Sequence, residues 1–437
     1  MNNSVEVKLW GTTIGYLGYP PNAKHAVFEY APAFMKSDIY ISPLTMKHPP
    51  AKHHFENISF RTFKGLAGVF ADSLPDKYGN QLIDQFMAKK QISPEDVSTL
   101  DRLLYIGDRA MGAVEYYPLA FEDERSEALA LDVQTLSQLA EMVVKYKDTL
   151  QEKLEDAKTS KDALSLIRVG SSAGGARSKA LVVQKEDGRL YDGTRLYHEP
   201  CSYWLLKFDS SSNSDRDHTD PKGMTKVEYI YSLIAQKCDI DIPQTKYIET
   251  GDDFHFMIER FDRRNESGKS SKLHYVSWAG LTHFDRDSTG AYTYEQLVMS
   301  VRKMGLGQSA VTEVFKRAVF NIVGRNQDDH TKNFGFLMDK SGTWRLSPAF
   351  DLTYSYDPTG SWTKVHQLKL NGKQDDFTMQ DIIAFGSYCN LSSKKSQEIL
   401  TSTQTHFSGF DALAKEYDVG DALRETVVGN LRLRVVG

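Results

Sequence analysis

Two stretches near the start of the chain, "VEVKLWGTTIGYL" and "HAVFEYAPAF", alternate apolar with polar residues, and Gly11 interrupts the first. Alternation with a period of two puts every second side chain on one face, so an opening unit of about 120 residues is predicted to mix strands with short helices. From Asp132 the period lengthens. Leu136, Leu139, Val143 and Tyr146 share one face behind Asp132 as N-cap, which predicts a helix continuing in charge-rich form to Ala157. Next come "IRVGSSAGGARSKALVV", the strand "SYWLLKF", the polar loop "DSSSNSDRDHTDPKG", a helix around "KVEYIYSLIAQKC" and the strand-like "FHFMIERF". Strand, glycine loop, strand, helix, strand describes one compact α+β lobe. Beyond the polar link "DRRNESGKSSK" the pattern is mostly helical, through "TYEQLVMSVRKMG", "SAVTEVFKRAVFNIVG", "SKKSQEILTSTQTHF" and "DALRETVVGNLRLRV".

The densest polar cluster, "NQDDHTKN" from Asn326 to Asn333, stands between two ordered elements. Before it, Val311, Phe315, Ala318 and Ile322 fall at helical spacing on one stripe, so the helix ending at Gly324 is anchored in a core. After it, "FGFLM", "DKSG" and "TWRLS" predict a strand, a turn and a returning strand. A hairpin brings its ends together, so Asn333 before the first strand and Asp351 after the second should meet beside Asp328. Three hard oxygen-bearing groups would then converge, a set suited to magnesium and to accepting a proton from a hydroxyl. In protein kinases a catalytic Asp precedes a metal-binding Asn by five residues, with a second metal-binding Asp beyond. Asp328, Asn333 and Asp351 have that order, and Asp329 is one residue out of register.

Composition excludes several alternatives. The chain has 437 residues, 40% hydrophobic and 25% charged, as expected of a globular protein of two or three packed units. A net charge of -5 argues against a chain that coats nucleic acid unaided. Three scattered cysteines, Cys201, Cys238 and Cys389, form neither a disulfide framework nor a metal knuckle. No run approaches the ~18 apolar residues of a membrane span, and a cytoplasmic location is expected. His48, His53 and His54, with nearby prolines, are read as a polar loop.

Two further features fit phosphoryl transfer. In "GSSAGGARSK" small residues let backbone N–H groups approach phosphate oxygens, and Lys179 adds charge. Lys207 stands inside the apolar strand "YWLLKF", where an ammonium needs an anionic partner; Glu228, read as opening the following helix, is a candidate.

Taken in order, "VGSSAGGARSKALV", "WLLKF", "ERFDRR", "DDHTKNFGF" and "LSPAFDLT" resemble the HipA family of bacterial serine/threonine kinases, the toxins of HipA–HipB toxin–antitoxin modules. Upstream, "FADSLPDKYG" and "LLYIGDRAMGAVEY" resemble that family's N-terminal subdomain, so the resemblance spans nearly the whole chain. It implies that Asp328 is the catalytic base, that Asn333 and Asp351 hold Mg2+, and that His330 and Lys332 neighbour the phosphates of ATP. It implies a phosphate loop of Gly174, Gly175, Ala176, Arg177, Ser178 and Lys179, with Lys207 as the ATP lysine. Glu259, Arg260 and Phe261 would form the adenine hinge. Ser172 or the adjacent Ser171 would be autophosphorylated, placing about two negative charges where ATP phosphates sit. Arg177 and Ser178 stand where some family members carry Gln and Glu.

The expected architecture is an α+β, two-lobed, protein-kinase-like fold: residues 1–125 as a strand-rich N-terminal subdomain, 126–264 as the N-lobe, and 265–437 as a mostly helical C-lobe. The resemblance implies a protein substrate, with aminoacyl-tRNA synthetases as the class, and a HipB-like DNA-binding antitoxin through which any DNA contact is made. Two other functions fit the same residues: a small-molecule or lipid kinase, and a non-catalytic nucleotide-binding partner of a DNA-binding antitoxin.

Overall fold

A computed structural model of the chain describes residues 4–89, 91–119, 130–145, 166, 169–170, 177–209 and 221–434. The opening strands β1 (Ser4–Leu9), β2 (Thr12–Gly18), β3 (Val27–Tyr30), β4 (Lys52–His54) and β5 (Val114–Tyr117) form an antiparallel sheet in the order β4-β3-β2-β1-β5. Val5, Val7 and Leu9 point to one buried face, as the period of two requires. His53 and His54 lie in edge strand β4 rather than a loop. The His53 and His48 rings pack edge-on against Tyr30.

Short helices α1 (Phe60–Phe63) and α2 (Gly68–Ala71) lead into α3 (Lys77–Lys89) and α4 (Thr99–Ile106). Tyr78, Leu82, Ile83 and Phe86 of α3 are buried together with Leu136 and Leu139 of α5 (Val133–Lys145), under the apolar face of a second sheet. Asp132 caps α5, its carboxylate accepting from Gln134 N and Thr135 Oγ1; the predicted continuation of this helix falls outside the described residues.

The second sheet, in the order β7-β6-β8-β10-β9, contains β6 (Lys179–Lys185), β7 (Leu190–Asp192), β8 (Cys201–Lys207), β9 (Thr245–Thr250) and β10 (Asp253–Glu259). Helix α6 (Met224–Lys237) crosses between β8 and β9 and packs on β10. After the ribbon of β11 (Arg263–Glu266) and β12 (Lys269–Lys272), β13 (His274–Ser277) pairs with the hairpin of β14 (Gly335–Met338) and β15 (Trp344–Leu346). Around this small sheet stand α7 (Trp278–Thr282), α8 (Tyr294–Lys303), α9 (Gln308–Val323), α10 (Met379–Tyr388), α11 (Ser393–Ser408), α12 (Phe410–Glu416) and α13 (Asp421–Asn430). The predicted stripe of α9, Val311, Phe315, Ala318 and Ile322, is buried in the largest core, which extends without a break into the first sheet. Among the described residues, no helix is long and apolar enough to cross a membrane.

Candidate active site

Strands β6 and β8 pair so that Lys179 lies directly opposite Lys207, and both side chains are buried. Like charges facing each other across a sheet repel, and burial deprives each ammonium of water. The fold answers with carboxylates. Lys207 Nζ donates to Glu228 Oε1 at 2.6 Å and also to Asp351 Oδ1. Lys179 Nζ reaches Asp76 Oδ2 at 3.3 Å. Burial alone would lower the Lys207 ammonium, but Asp351 and Glu228 outweigh it and hold it well above its ordinary range. Burial likewise pushes Asp351 up, yet Lys207 and Lys179 overcome it and keep the carboxylate ionised. Glu228 stays raised by burial, with the charge of Asp351 opposing its ionisation despite Lys207. For Lys179 burial dominates over Asp76, with the nearby Lys207 charge adding to it, and lowers the ammonium. Glu228 does not open its helix; it stands in the second turn of α6, facing inward.

Helix α9 ends at Gly324, and Arg325 adopts a left-handed backbone with φ of 53° that turns the chain back toward the helix end. Asn326 then organises the loop. Its Nδ2 donates to Asn321 Oδ1 at 2.9 Å and to the backbone carbonyl of Asp351 at 3.3 Å. Its Oδ1 accepts from Ser355 Oγ at 3.2 Å, and Ser355 Oγ accepts from Asp328 N at 3.0 Å. Asn333 Nδ2 donates to the Asp328 carbonyl at 2.7 Å, which also accepts His330 N at 2.9 Å. Asp328, Asn333 and Asp351 are thus gathered at the open end of the hairpin, joined through Asn326 and Ser355. Asn326 opens the polar cluster seen in the sequence, but neither it nor Ser355 could be given this role there, because a buried amide and a buried hydroxyl have no periodic signature.

Asp329, out of register for chemistry, is buried and structural. It accepts from Tyr294 OH at 2.7 Å and Gln367 N at 2.8 Å, and pairs with His366 Nδ1 at 2.8 Å. His330 is buried with its Nε2 3.9 Å from Asp328 Oδ1, and burial pushes the imidazole down to about 3, so it is neutral near pH 7. Lys332 is lowered by burial, with Asp72 as its main opposing charge. Asp72 accepts from Ser277 N at 2.7 Å and Ser277 Oγ at 2.8 Å, and burial raises its carboxyl. The opening unit therefore contributes Asp72 and Asp76 to the same charged cleft, two residues within the quoted "FADSLPDKYG" to which sequence reasoning had assigned no role.

The remaining candidates separate. Glu259 ends β10, and its N–H is taken by Gln244 O at 2.8 Å. Arg260 is buried and engaged with Asp262 through Nε at 2.9 Å and Nη2 at 2.8 Å. Phe261 packs against Tyr275 and Phe350. Ser178 is buried, its carbonyl accepting Phe208 N at 3.1 Å, and the charge of Arg177 reaches Glu228. Ser171, Ser172, Gly174, Gly175 and Ala176 lie outside the described residues.

The donor set at the hairpin end suits magnesium. With Asn333 Nδ2 committed to Asp328, the acceptor oxygen Oδ1 is the other end of that amide, and Asp351 is held ionised. One amide oxygen and one carboxylate fit an ion bound by one or two protein groups together with phosphates. Among the described residues, no group of three or more His, Cys, Asp or Glu gathers as a metal cage.

A sheet bearing a buried Lys–Glu pair, joined by a strand to a helical lobe bearing the polar loop and hairpin, defines an α+β, kinase-like protein. Residues 171–409 match the model of the HipA-like C-terminal domain and residues 5–117 that of the HipA N-terminal domain, so the chain belongs to the HipA family. Its fold is similar to that of a chain in the Shewanella oneidensis MR-1 toxin–antitoxin complex of HipA, HipB and operator DNA, with TM-score 0.66 and 16% identity over 97% of this chain and 94% of that one. The Helicobacter pylori proinflammatory kinase CtkA gives TM-score 0.31 and 11% identity over 52% of this chain and 84% of its own.

Proposed function

We propose that the protein is an ATP- and Mg2+-dependent serine/threonine protein kinase acting as a HipA-like toxin in the cytoplasm. The observation that carries this reading is the meeting of the Lys207–Glu228–Asp351 ion pairs with the Asp328–Asn333 loop at one end of the hairpin. Two cationic side chains, Lys179 and Lys207, side by side on adjacent strands suit a polyphosphate, whose charges would relieve their repulsion. Asp328 accepts the proton of the acceptor hydroxyl as that oxygen bonds to the γ-phosphorus, and the bond to the departing ADP breaks. Asn333 and Asp351 would hold magnesium, which neutralises charge on the phosphates when bound. Neutral His330 leaves the local positive charge to the lysines. The chain's own contribution is positioning and electrostatics.

The acceptor is proposed to be a protein hydroxyl on an aminoacyl-tRNA synthetase, with a second acceptor in the chain itself at Ser172 or Ser171. A HipB-like antitoxin is the proposed partner, and DNA is reached only through it. The test is Asp328→Asn. Purified wild-type protein with labelled ATP should label its own peptide containing Ser171 and Ser172 and a synthetase fraction, while the variant binds nucleotide but loses transfer by about 10²-fold or more. Transfer by the variant at the wild-type rate would reject Asp328 as base, and label confined to small molecules would reject a protein acceptor.

A further inference from the structure

The carboxylate proposed as the base is held by a residue far along the chain. Trp362 Nε1 donates to Asp328 Oδ1 at 2.6 Å, a short contact for an indole donor. The indole is itself fixed. Its backbone carbonyl accepts from Gln367 Nε2, the Arg286 guanidinium lies 5.6 Å from its ring centroid, and the His330 ring lies 6.4 Å away.

The segment carrying Trp362 is fastened to the Asp328–Asp329 dipeptide at both ends. Ser355 Oγ accepts Asp328 N at 3.0 Å; Gln367 N donates to Asp329 Oδ1 at 2.8 Å, and His366 Nδ1 meets Asp329 Oδ2 at 2.8 Å. Thr289 Oγ1 braces Gln367 Oε1 at 2.7 Å. A short donor on a carboxylate whose backbone is already bonded on both sides constrains the direction and plane of the group. The carboxylate is partly exposed, with 39% of its side chain accessible, so a donor that fixes its rotamer bears directly on its aim.

Resting on the kinase reading above, we infer that Trp362 is a positioning residue for the base: its indole N–H holds Asp328 in the one orientation that meets the acceptor hydroxyl, and segment 355–367 is the brace that aims it. Trp362 touches neither nucleotide nor phosphate in this role. Removing its N–H while keeping an aromatic ring should therefore slow the transfer step without weakening ATP binding.

The experiment compares wild type, Trp362→Phe, Asp328→Asn and the double variant. Expected is a fall in kcat of about tenfold to a hundredfold for Trp362→Phe with KM for ATP unchanged, and no additional loss when it is combined with Asp328→Asn. In parallel, protein labelled with [15N]tryptophan reports the contact without any turnover. The indole resonance that vanishes in Trp362→Phe should move in Asp328→Asn, while the resonances of the other four tryptophans stay in place. An unmoved resonance, an unchanged kcat in Trp362→Phe, or losses that add in the double variant would each overturn the inference. A wild-type protein that transfers no phosphate retires the kinase reading and this inference together, whereas an active wild type matched by Trp362→Phe overturns this inference alone.

Discussion

Asp351 carries its carboxylate on a left-handed backbone, with φ of 53°. That conformation costs a typical L-residue roughly 1–2 kcal/mol and is better tolerated by Asp. Its carbonyl is held by Asn326 and its carboxylate by Lys207, so the strain is over-determined by bonds on both sides. Buried histidines illustrate the opposite economy. His274 donates from Nε2 to Ile41 O at 2.8 Å while its buried Nδ1 has no hydrogen-bond partner, and burial pushes the imidazole down to about 4. A proton on Nδ1 would have nothing to meet. The folded state therefore binds fewer protons than the unfolded chain at pH values below the ordinary histidine value of about 6.5. The stability this neutral histidine contributes is complete above that value and is lost as pH falls toward 4. His274→Gln keeps a donor for Ile41 and removes the titration. Urea unfolding at pH 7 and pH 5 should show the acid loss shrinking by about 2 kcal/mol in the variant, and an identical pH dependence would contradict the assignment.

At the scale of elements, the site is built where a packed helix, a tight loop and a hairpin meet. Helix α9 supplies the rigid support, and the β14–β15 register brings Gly335 and Ser347 together, Ser347 N donating to Gly335 O at 2.8 Å. A second junction lies under the cleft, where α2 and α7 cross at Gly68 and Gly280. A Cβ on Gly68 would lie 2.4 Å from Gly280 O and 2.6 Å from Gly280 Cα, backbone atoms that cannot rotate away. Asp72 follows α2 directly, and its carboxylate reaches Ser277 at the start of α7. Gly68→Ala should force the two helices apart, costing about 1–3 kcal/mol in denaturant unfolding and weakening the hold on Asp72. Full wild-type stability in that variant would show that the crossing has room for a methyl group and does not depend on glycine.

Over the whole molecule, the opening sheet is a structural partner of the charged cleft and not an appendage. Besides Asp72 and Asp76, it is joined by Trp10 Nε1 donating to Lys272 O at 2.9 Å and by Lys272 Nζ to Glu115 Oε1 at 2.9 Å. The strongest tie is Asp262, fully buried, which accepts Gly112 N at 2.7 Å and bonds Arg260 and Arg263, while Arg263 returns to the carbonyls of Gly112 and Ala110 at 2.9 and 3.0 Å. Burial pushes the Asp262 carboxyl up, but the two guanidiniums overcome it and hold it well below the carboxylate range. Asp262→Ala would leave two arginines buried without a counter-charge, and should lower stability by about 3–5 kcal/mol, read by equilibrium unfolding. A smaller loss, within about 1 kcal/mol, would mean that water or Glu115 takes over the neutralisation.

The hairpin, the α9 stripe and the order Asp328, Asn333, Asp351 were legible in the sequence because each rests on local spacing: period two, period 3.6, and turn residues between strands. Lys207 was conspicuous because a charge in an apolar strand demands a partner wherever it lies. Glu228, 21 residues on, was its candidate partner and does pair with it; the second partner, Asp351, and the Asp76 that answers Lys179 depend on contacts across 144 and 103 residues of chain. Asn326, Ser355, Trp362 and Asp72 owe their roles to such distant encounters too, and polar residues that meet only after folding leave no period behind. Local pattern thus determined which elements form and where chemistry could sit. Only tertiary packing decided which carboxylate is held ionised, which aspartate is buried as scaffold, and which indole bonds Asp328, because burial and neighbouring charge exist only once distant segments share a core.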